Sequence, residues 1–428
     1  MLDIQFIRQH RDMIQSVADG KGIRLSVDEL LSWDDRKRKL LQEAETLRHT
    51  RNAHSRDIGR FIGEGKREDA EQLRKDVQKT NHRLSQVETE LAEAESQVTL
   101  LAMRVPNPVS PDTPAGRSDQ DNVEVKRVGE PTAFDFTAKD HVALGELHGL
   151  IDIPRGVKTA GTRNYYLKGA GALLHRAVQQ LALDLLIANG FTLLEVPLLV
   201  RTEAMAHTGF FPTGEDQTYR IADENKWLVG TSEVPLVSYH ADEIIDLREP
   251  RKYAAVSQCF RNEVGSSGRD VHGLYRVHQF AKVEQVILCE ASMELSERLL
   301  HEITGHAEEL LQQLELPYRV MSVCIGDMSQ KTYKQFDIET WMPSRQAYGE
   351  THSSSALLDF QARRSNIRYR DAGGKLAYCY TLNNTAVASP RILIPLLENH
   401  QQEDGSIRIP QALQPYMNGL EQLVLQQE

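Results

Sequence analysis

The run FRNEVGSSGRDVHGLYRVHQFAKVE, from Phe260 to Glu284, brackets a glycine-rich turn with charged and aromatic residues suited to gripping a nucleoside triphosphate. Arg261 and Glu263 stand two apart, as neighbours on one face of a strand do, and Phe280, Lys282 and Glu284 repeat that period beyond the loop. The spacing predicts a hairpin with a site on one face. A guanidinium fork donates paired hydrogen bonds to phosphate, a carboxylate accepts from an adenine amino group, and an aromatic ring covers a purine. Arg-x-Glu alone fits an ordinary solvated hairpin equally well, and it is the remainder of the run that separates the two readings.

Around this run, a length of 428 residues exceeds one typical core, so two domains are expected. Hydrophobic content of 40% with 26% charged residues describes a soluble globular chain, and no apolar run approaches the roughly 20 residues of a membrane span. The start, MLDIQFIRQHRD, is amphipathic and acid-containing, unlike a signal peptide. A cytoplasmic protein with no membrane partner is the expectation. Cys259, Cys289, Cys324 and Cys379 are widely spaced with no CxxC pair, which predicts core thiols and neither a disulfide framework nor a zinc site. A net charge of −11 argues against a simple basic nucleic-acid binder, and DNA is not an expected partner.

The charge is unevenly spread. Arg48 to Arg83 holds ten Lys/Arg against six Asp/Glu, whereas Leu84 to Met103 holds four Glu and no cation. No proline occurs between Val27 and Met103, and Leu73, Val77, Leu84, Val87, Leu91, Ala94, Val98 and Leu101 recur at heptad-like spacing. Leu40, Ala44, Leu47, Ile58 and Phe61 form a complementary stripe, with Gly63-Glu-Gly65 as the turn. This predicts an antiparallel two-helix coiled-coil arm on the order of 50 Å long. Pattern alone favours a dimerisation coiled coil or a bundle fragment over an RNA-binding arm, and the basic tip tilts the reading toward a phosphate backbone. Four prolines between Val105 and Pro114 end the arm. Residues 1–104 are therefore expected to be a helical-arm domain, 105–125 a linker and 126–428 a catalytic domain. In that last part a helix is expected over Gly171 to Phe191 and strands over LLEVPLLV (Leu193 to Val200), Trp227 to Val229, Tyr253 to Phe260, Val283 to Leu288, Tyr318 to Val323, Phe336 to Trp341 and Ala377 to Leu382. The class is α+β.

The run from Phe260 to Glu284 resembles the second signature motif of class II aminoacyl-tRNA synthetases in its seryl-tRNA synthetase form, FRxEAGSxGRDxxGLxRxHQFxKVE. The resemblance continues from MLDIQFIR at the start to LENHQQEDGSIRIPQALQPYMNG near the end. It implies a mostly antiparallel catalytic sheet flanked by helices, an arm that grasps tRNA, and a homodimer with Pro197 at its interface. The implied reaction is ATP-dependent activation of L-serine and its transfer to tRNA(Ser), with tRNA(Sec) as a further substrate. Matched residue by residue, Arg261, Glu263 and Arg391 are the implied catalytic residues. ATP would be held by Arg261, Asn262, Glu263, Phe280, Glu350, Thr351, His352, Ser353 and Arg391. Serine would be held by Thr231, Ser232, Glu233, Arg261, Glu284, Asn383 and Thr385. Glu350 and Ser353 are the implied Mg²⁺ ligands, with no zinc. A site built to hydrogen-bond a hydroxyl can reject alanine by about 10⁴-fold, since its polar groups would be left unpaired.

Departures from the family pattern cluster at the same site. The usual ExSSCSN is here Glu350-Thr-His352-Ser-Ser354-Ser-Ala356, and TLNGSxLAVGR is TLNNTAVASPR, with Asn384, Thr385 and Pro390 replacing Gly, Ser and Gly. GRDxRG has become Gly268-Arg-Asp-Val-His272-Gly. These changes motivate the alternative of a divergent second copy serving antibiotic resistance or a biosynthetic pathway. Other readings are an amino-acid:carrier ligase, which would not need the arm, and a silent RNA-binding paralogue, which could lose the motif arginines.

Overall fold

The computed structural model describes residues 2–264 and 272–425, and the chain divides into two compact units, Met1–Pro106 and Asn107–Glu428. The glycine-rich turn expected within the opening run, residues 265–271, lies outside the described residues.

In the first unit, helices α1 (Ile4–Gln9) and α2 (Arg11–Gly20) precede the long helices α3 (Val27–Gly63) and α4 (Arg67–Ala102). Ser26 caps α3 by accepting the Glu29 N–H at 3.2 Å, the S-x-x-E spacing of a helix start. Gly65 turns the chain into α4 with φ 76°, a left-handed conformation that costs a glycine nothing. Leu40 and Ala44 then pack against Leu84, Val87, Leu91 and Ala94, while Ile58, Phe61, Leu73 and Val77 near the turn are half-buried. The three-residue turn between Gly63 and Arg67 makes the two helices antiparallel, and the exposed ion pairs Arg36–Glu90 at 3.4 Å and Glu43–Arg83 at 2.8 Å cross between them. With 37 residues in α3, the rise per residue gives an arm of about 55 Å.

The second unit is built on an eight-stranded sheet of β1 (Val123–Val128), β2 (Thr192–Leu193), β3 (Arg251–Phe260), β4 (Gln279–Cys289), β5 (Tyr318–Ser322), β6 (Lys334–Met342), β7 (Ala347–Ala356) and β8 (Tyr380–Ser389). Their order is β1-β5-β6-β7-β8-β4-β3-β2, and every pairing is antiparallel except β2 with β3. From Asn107 the chain runs along this unit, with the Asn107 amide donating to Lys331 O and Leu357 O and the Ser110 N–H to Tyr333 O.

Helices α5 (Ala170–Ala188) and α7 (Met293–Gln313) bury Leu174, Val178, Leu299 and Ile303 against Ile287, Ile338 and Leu382 on one sheet face. On the other face α6 (Glu233–Ser238) and α8 (Phe360–Ser365) lay Leu236, Val237 and Ala362 over Val286 and Leu288. Both faces of β4 are therefore covered, and the strand alternation carries Phe280, Lys282 and Glu284 onto the α6 side, in line with Val286 and Leu288. Helix α5 closes at Asn189 with Gly190 at φ 81° and a Phe191 N–H to Leu186 O bond of 3.0 Å.

Three local expectations are corrected. The strand read over LLEVPLLV is two short pieces, Thr192–Leu193 and Leu199–Arg201, because Pro197 has no N–H to give a ladder and its segment crosses between two sheets. The strand read over Ala377 to Leu382 is divided between a small sheet strand, Leu376–Tyr378, and β8. Arg261 and Glu263 are not strand neighbours on one face, since β3 ends at Phe260 and Glu263 takes φ 49°.

Candidate active site

A cavity of about 290 Å³ opens over the α6 face of β4, β8 and β7. The hairpin of β3 and β4 forms one wall, with Arg261 and Glu263 just past β3 and Phe280, Lys282 and Glu284 spaced along β4. Asn383 and Thr385 of β8, together with Glu350 to Ser353 of β7, line it from the sheet, and Arg391 enters just past β8. Thr231 and Glu233 reach it from the start of α6.

Glu233 is 5% exposed, so its charge needs partners inside the protein. Its Oε1 accepts from Lys331 Nζ at 2.5 Å, Asn383 Nδ2 at 2.6 Å and Gln361 Nε2 at 2.7 Å. The Glu233 N–H donates to Thr231 Oγ1 at 3.2 Å, which ties the two residues together at the helix start. Glu284, 2% exposed, pairs with Lys282 Nζ at 2.7 Å and accepts the Thr385 hydroxyl at 3.3 Å. Burial pushes the Glu284 carboxyl above its ordinary range, and the nearby Lys282 ammonium opposes that rise. This end of the cavity thus holds two carboxylates, two ammonium groups and a hydroxyl.

Arginines gather at the other end. The Arg261 guanidinium lies 5.3 Å from the centroid of the Phe280 ring and donates through Nε to Gly230 O at 3.3 Å. Arg276 Nη1 meets Glu263 Oε2 at 3.3 Å, and Arg163 Nη1 holds the Glu263 carbonyl at 2.9 Å. Arg391 donates to Tyr275 O at 3.0 Å and Glu350 O at 3.2 Å, so it spans the cavity mouth despite Pro390 before it. Its guanidinium and that of Arg345 cover the Tyr275 ring at 4.5 and 3.8 Å.

Glu350 and Ser353 line the same cavity. Behind them Asp337 is buried opposite Ser353 across the β6–β7 pairing, and Gln335 Nε2 bridges Asp337 Oδ1 and Ser353 Oγ at 2.9 and 3.1 Å. Burial first, and the Glu350 charge second, raise the Asp337 carboxyl far above its ordinary range. Glu350 and the Ser353 hydroxyl offer oxygen donors of the kind a hard divalent cation takes, while Asp337 is held in its neutral form, and no three acidic or imidazole groups among the described residues are placed to hold a metal by themselves.

Two expected residues stand apart from the cavity wall. Ser232 is fully buried, with its hydroxyl unpartnered among the described residues, and Asn262 is turned away, its amide donating to Asp216 O at 3.2 Å. Conversely, Lys331 and Tyr275 line the cavity and Gln361 and Asp337 brace it although the sequence motifs do not name them, and Arg276, a fixed position of the opening motif, lines it without having been assigned a role. Arg276 and Tyr275 fall within the opening run, and their company there is the one signal that could find them. Lys331, Gln361 and Asp337 come from distant segments whose local pattern carries none.

Two of the departures at the site, Asn384 and Ser354, meet in a hydrogen bond. Asn384 points away from the cavity, where its amide donates to Ser354 Oγ at 2.7 Å and Ser353 O at 3.2 Å and its carbonyl accepts from Gln285 Nε2 at 2.6 Å. His306 Nδ1 meets Gln285 Oε1 at 2.9 Å, extending the buried network to α7. His352 is buried with Nδ1 2.8 Å from Thr351 Oγ1, and burial holds its pKa down to about 3, so the ring is neutral.

The seryl-tRNA synthetase N-terminal domain family matches residues 1–109, and the tRNA synthetase class II core domain family (G, H, P, S and T) matches residues 218–400. The chain is 45% identical over 424 residues to a serine–tRNA ligase of Deinococcus radiodurans, covering 99% of each protein. It is 41% identical over 422 residues to that of Dictyoglomus turgidum, covering 97% of this chain and 98% of the relative. The crystal structure of seryl-tRNA synthetase from Pyrococcus horikoshii complexed with ATP superposes with a TM-score of 0.91 at 36% identity, covering 100% of both chains.

Proposed function

The chain belongs to the seryl-tRNA synthetase family, and on that premise we propose that it activates L-serine with ATP and transfers the seryl group to tRNA(Ser), with tRNA(Sec) as a second acceptor. The observation that carries the reading is one cavity with two buried carboxylates and the Thr385 hydroxyl at one end and three arginines at the other. Serine binds with its ammonium toward Glu233 and Glu284 and its hydroxyl between Glu284 and Thr385, whose own hydroxyl already marks that direction. Arg261 neutralises the serine carboxylate and the ATP α-phosphate together, placing the attacking oxygen in line with the bond to be broken. The carboxylate oxygen bonds to the α-phosphorus, the α–β phosphoanhydride bond breaks, and pyrophosphate leaves with the electron pair.

Phe280 supports the purine, Glu263 accepts from its amino group, and Arg391 steadies the triphosphate. Glu350 and Ser353 would hold Mg²⁺, which would supply charge neutralisation for the departing phosphates. A hydroxyl of the terminal tRNA ribose then attacks the seryl carbonyl and releases AMP. The acceptor is tRNA rather than a small carrier because the chain carries an arm of two helices, 37 and 36 residues long, with exposed cations near its turn. We place the enzyme in the cytoplasm as a homodimer joined about the Pro197 segment, where Leu193 and Leu199 are exposed at 46% and 48%. No described helix is long and apolar enough to cross a membrane.

Amino-acid-dependent pyrophosphate exchange, followed by charging of tRNA, tests the reading. Exchange with serine and with no other amino acid is expected. Absence of serine-dependent exchange refutes it.

A further inference from the structure

Each carboxylate at the amino-acid end of the cavity is already met by a lysine of the chain itself. Lys282 Nζ lies 2.7 Å from Glu284, and Lys331 Nζ lies 2.5 Å from Glu233 Oε1. The two pairs are held differently. Lys282 and Glu284 are two residues apart on β4 with side chains 7% and 2% exposed, so that pair is built into the sheet. Lys331 precedes β6, lines the cavity with its side chain 14% exposed, and has its Nζ 5.1 Å from the centroid of the Phe210 ring.

Glu233 Oε1 has no room for a fourth donor. A carboxylate oxygen offers two lone pairs, and Lys331, Asn383 and Gln361 all lie within 2.7 Å of it. Asn383 sits on β8, and Gln361 is locked by the Thr381 hydroxyl at 2.8 Å and by its own bond to Thr208 O at 3.2 Å. Lys331 alone hangs on a flexible four-carbon stem.

We propose that Lys331 sets the affinity of the amino-acid subsite for ammonium-bearing ligands, as a tethered ammonium that competes with a substrate's α-ammonium for the charge of Glu233. The inference rests on the serine-activating reading of the cavity. Paired as they are, Glu233, Lys331, Glu284 and Lys282 sum to zero charge, so an arriving cation finds no net attraction until Lys331 leaves. A stem of this length confines its charge within a few ångströms of Glu233, so a free ammonium competes with it at a disadvantage. The displaced ammonium keeps the face of Phe210 as a resting place. A ligand without an ammonium leaves the pair intact and meets no such competition.

The test uses the full-length protein and two non-hydrolysable adenylate mimics, one carrying seryl sulfamate on adenosine and the other the same molecule without its amino group. Calorimetric titration of Lys331→Met, which keeps the stem and removes the charge, is expected to show about tenfold tighter binding of the ammonium-bearing mimic. Binding of the des-amino mimic stays the same, which also reports an intact fold. Lys331→Arg retains the wild-type difference, and in exchange assays Lys331→Met lowers the KM for serine but not for ATP. Parallel shifts for both mimics, no shift in either, or weaker binding of the ammonium-bearing one overturns this inference alone. A wild-type protein that binds neither mimic overturns the serine reading and this inference with it.

Discussion

Replacing Asn384 with glycine puts back the residue usual in the family motif, and the packing here predicts that the protein will lose stability. Three hydrogen bonds disappear at once. Ser354, 0% exposed, loses the amide 2.7 Å from its hydroxyl, and a buried hydroxyl left unpaired costs about 1–3 kcal/mol. Gln285 Nε2 loses its bond of 2.6 Å but keeps Ile303 O at 3.0 Å, so its loss is the net value of one hydrogen bond, about 1 kcal/mol. A glycine inside β8 adds about 0.5–1 kcal/mol of backbone entropy. The sum is about 2.5–5 kcal/mol for Asn384→Gly, large among single substitutions. Adding Ser354→Ala removes the orphaned hydroxyl, so the pair should couple by about 1–2 kcal/mol rather than add. Urea unfolding measures this, with m constant across the variants. Because the chain has two units, a Trp33→Phe background leaves Trp227 and Trp341 to report the second unit by fluorescence. A single-variant loss below about 1 kcal/mol, or strict additivity with Ser354→Ala, would show that the Asn384 network does not hold β7 to β8 as argued.

Arg261→Ala removes a charge aimed at both reacting anions, and serine-dependent exchange should fall by about 10³-fold or more while the unfolding midpoint moves little. Retained exchange would place the neutralising charge elsewhere. Arg56, Arg60, Lys75 and Lys79 are exposed near the turn of the arm, and changing all four to alanine should leave exchange intact. The same variant should raise the KM for tRNA and flatten its salt dependence by about 0.9 in log slope for each tRNA phosphate no longer neutralised; unaltered charging would make the arm structural. His175, whose Nδ1 is 2.7 Å from Ser389 Oγ, is held down to about 4, by burial first and the Arg176 charge second. Its unfolded value is about 6.5, so as pH falls the unfolded chain takes up the proton first. The stability it contributes is full above pH about 6.5 and is lost toward pH 4 at about 1.4 kcal/mol per pH unit. His175→Asn should therefore unfold with a shallower acid dependence between pH 7 and 5, and an unchanged slope would contradict the burial.

Local pattern carried much of this molecule. The 3.5-residue recurrence of Leu84, Val87, Leu91 and Ala94 is a one-dimensional record of a helix seam, because a helix returns the same face every few residues whatever surrounds it. Strand alternation likewise placed Phe280, Lys282 and Glu284 on one face before any partner strand was known. The same reasoning failed at Glu263, where a left-handed backbone ends the alternation, and at Pro197, which divides a run of apolar residues between two sheets.

Sequence by itself determined the helical arm, the α+β class, a hairpin about the run from Phe260 to Glu284 and most of the residues that converge on the cavity. Tertiary structure alone decided which charges meet there. Lys331 reaches Glu233 across 98 positions, Asn383 across 150 and Gln361 across 128, and Asn384 finds Gln285 across 99. Short-range periodicity reports only which face of its own element a residue occupies. Ion pairs between elements depend on register and sheet order, and those emerge when β7, β8 and β4 lie side by side beneath α6.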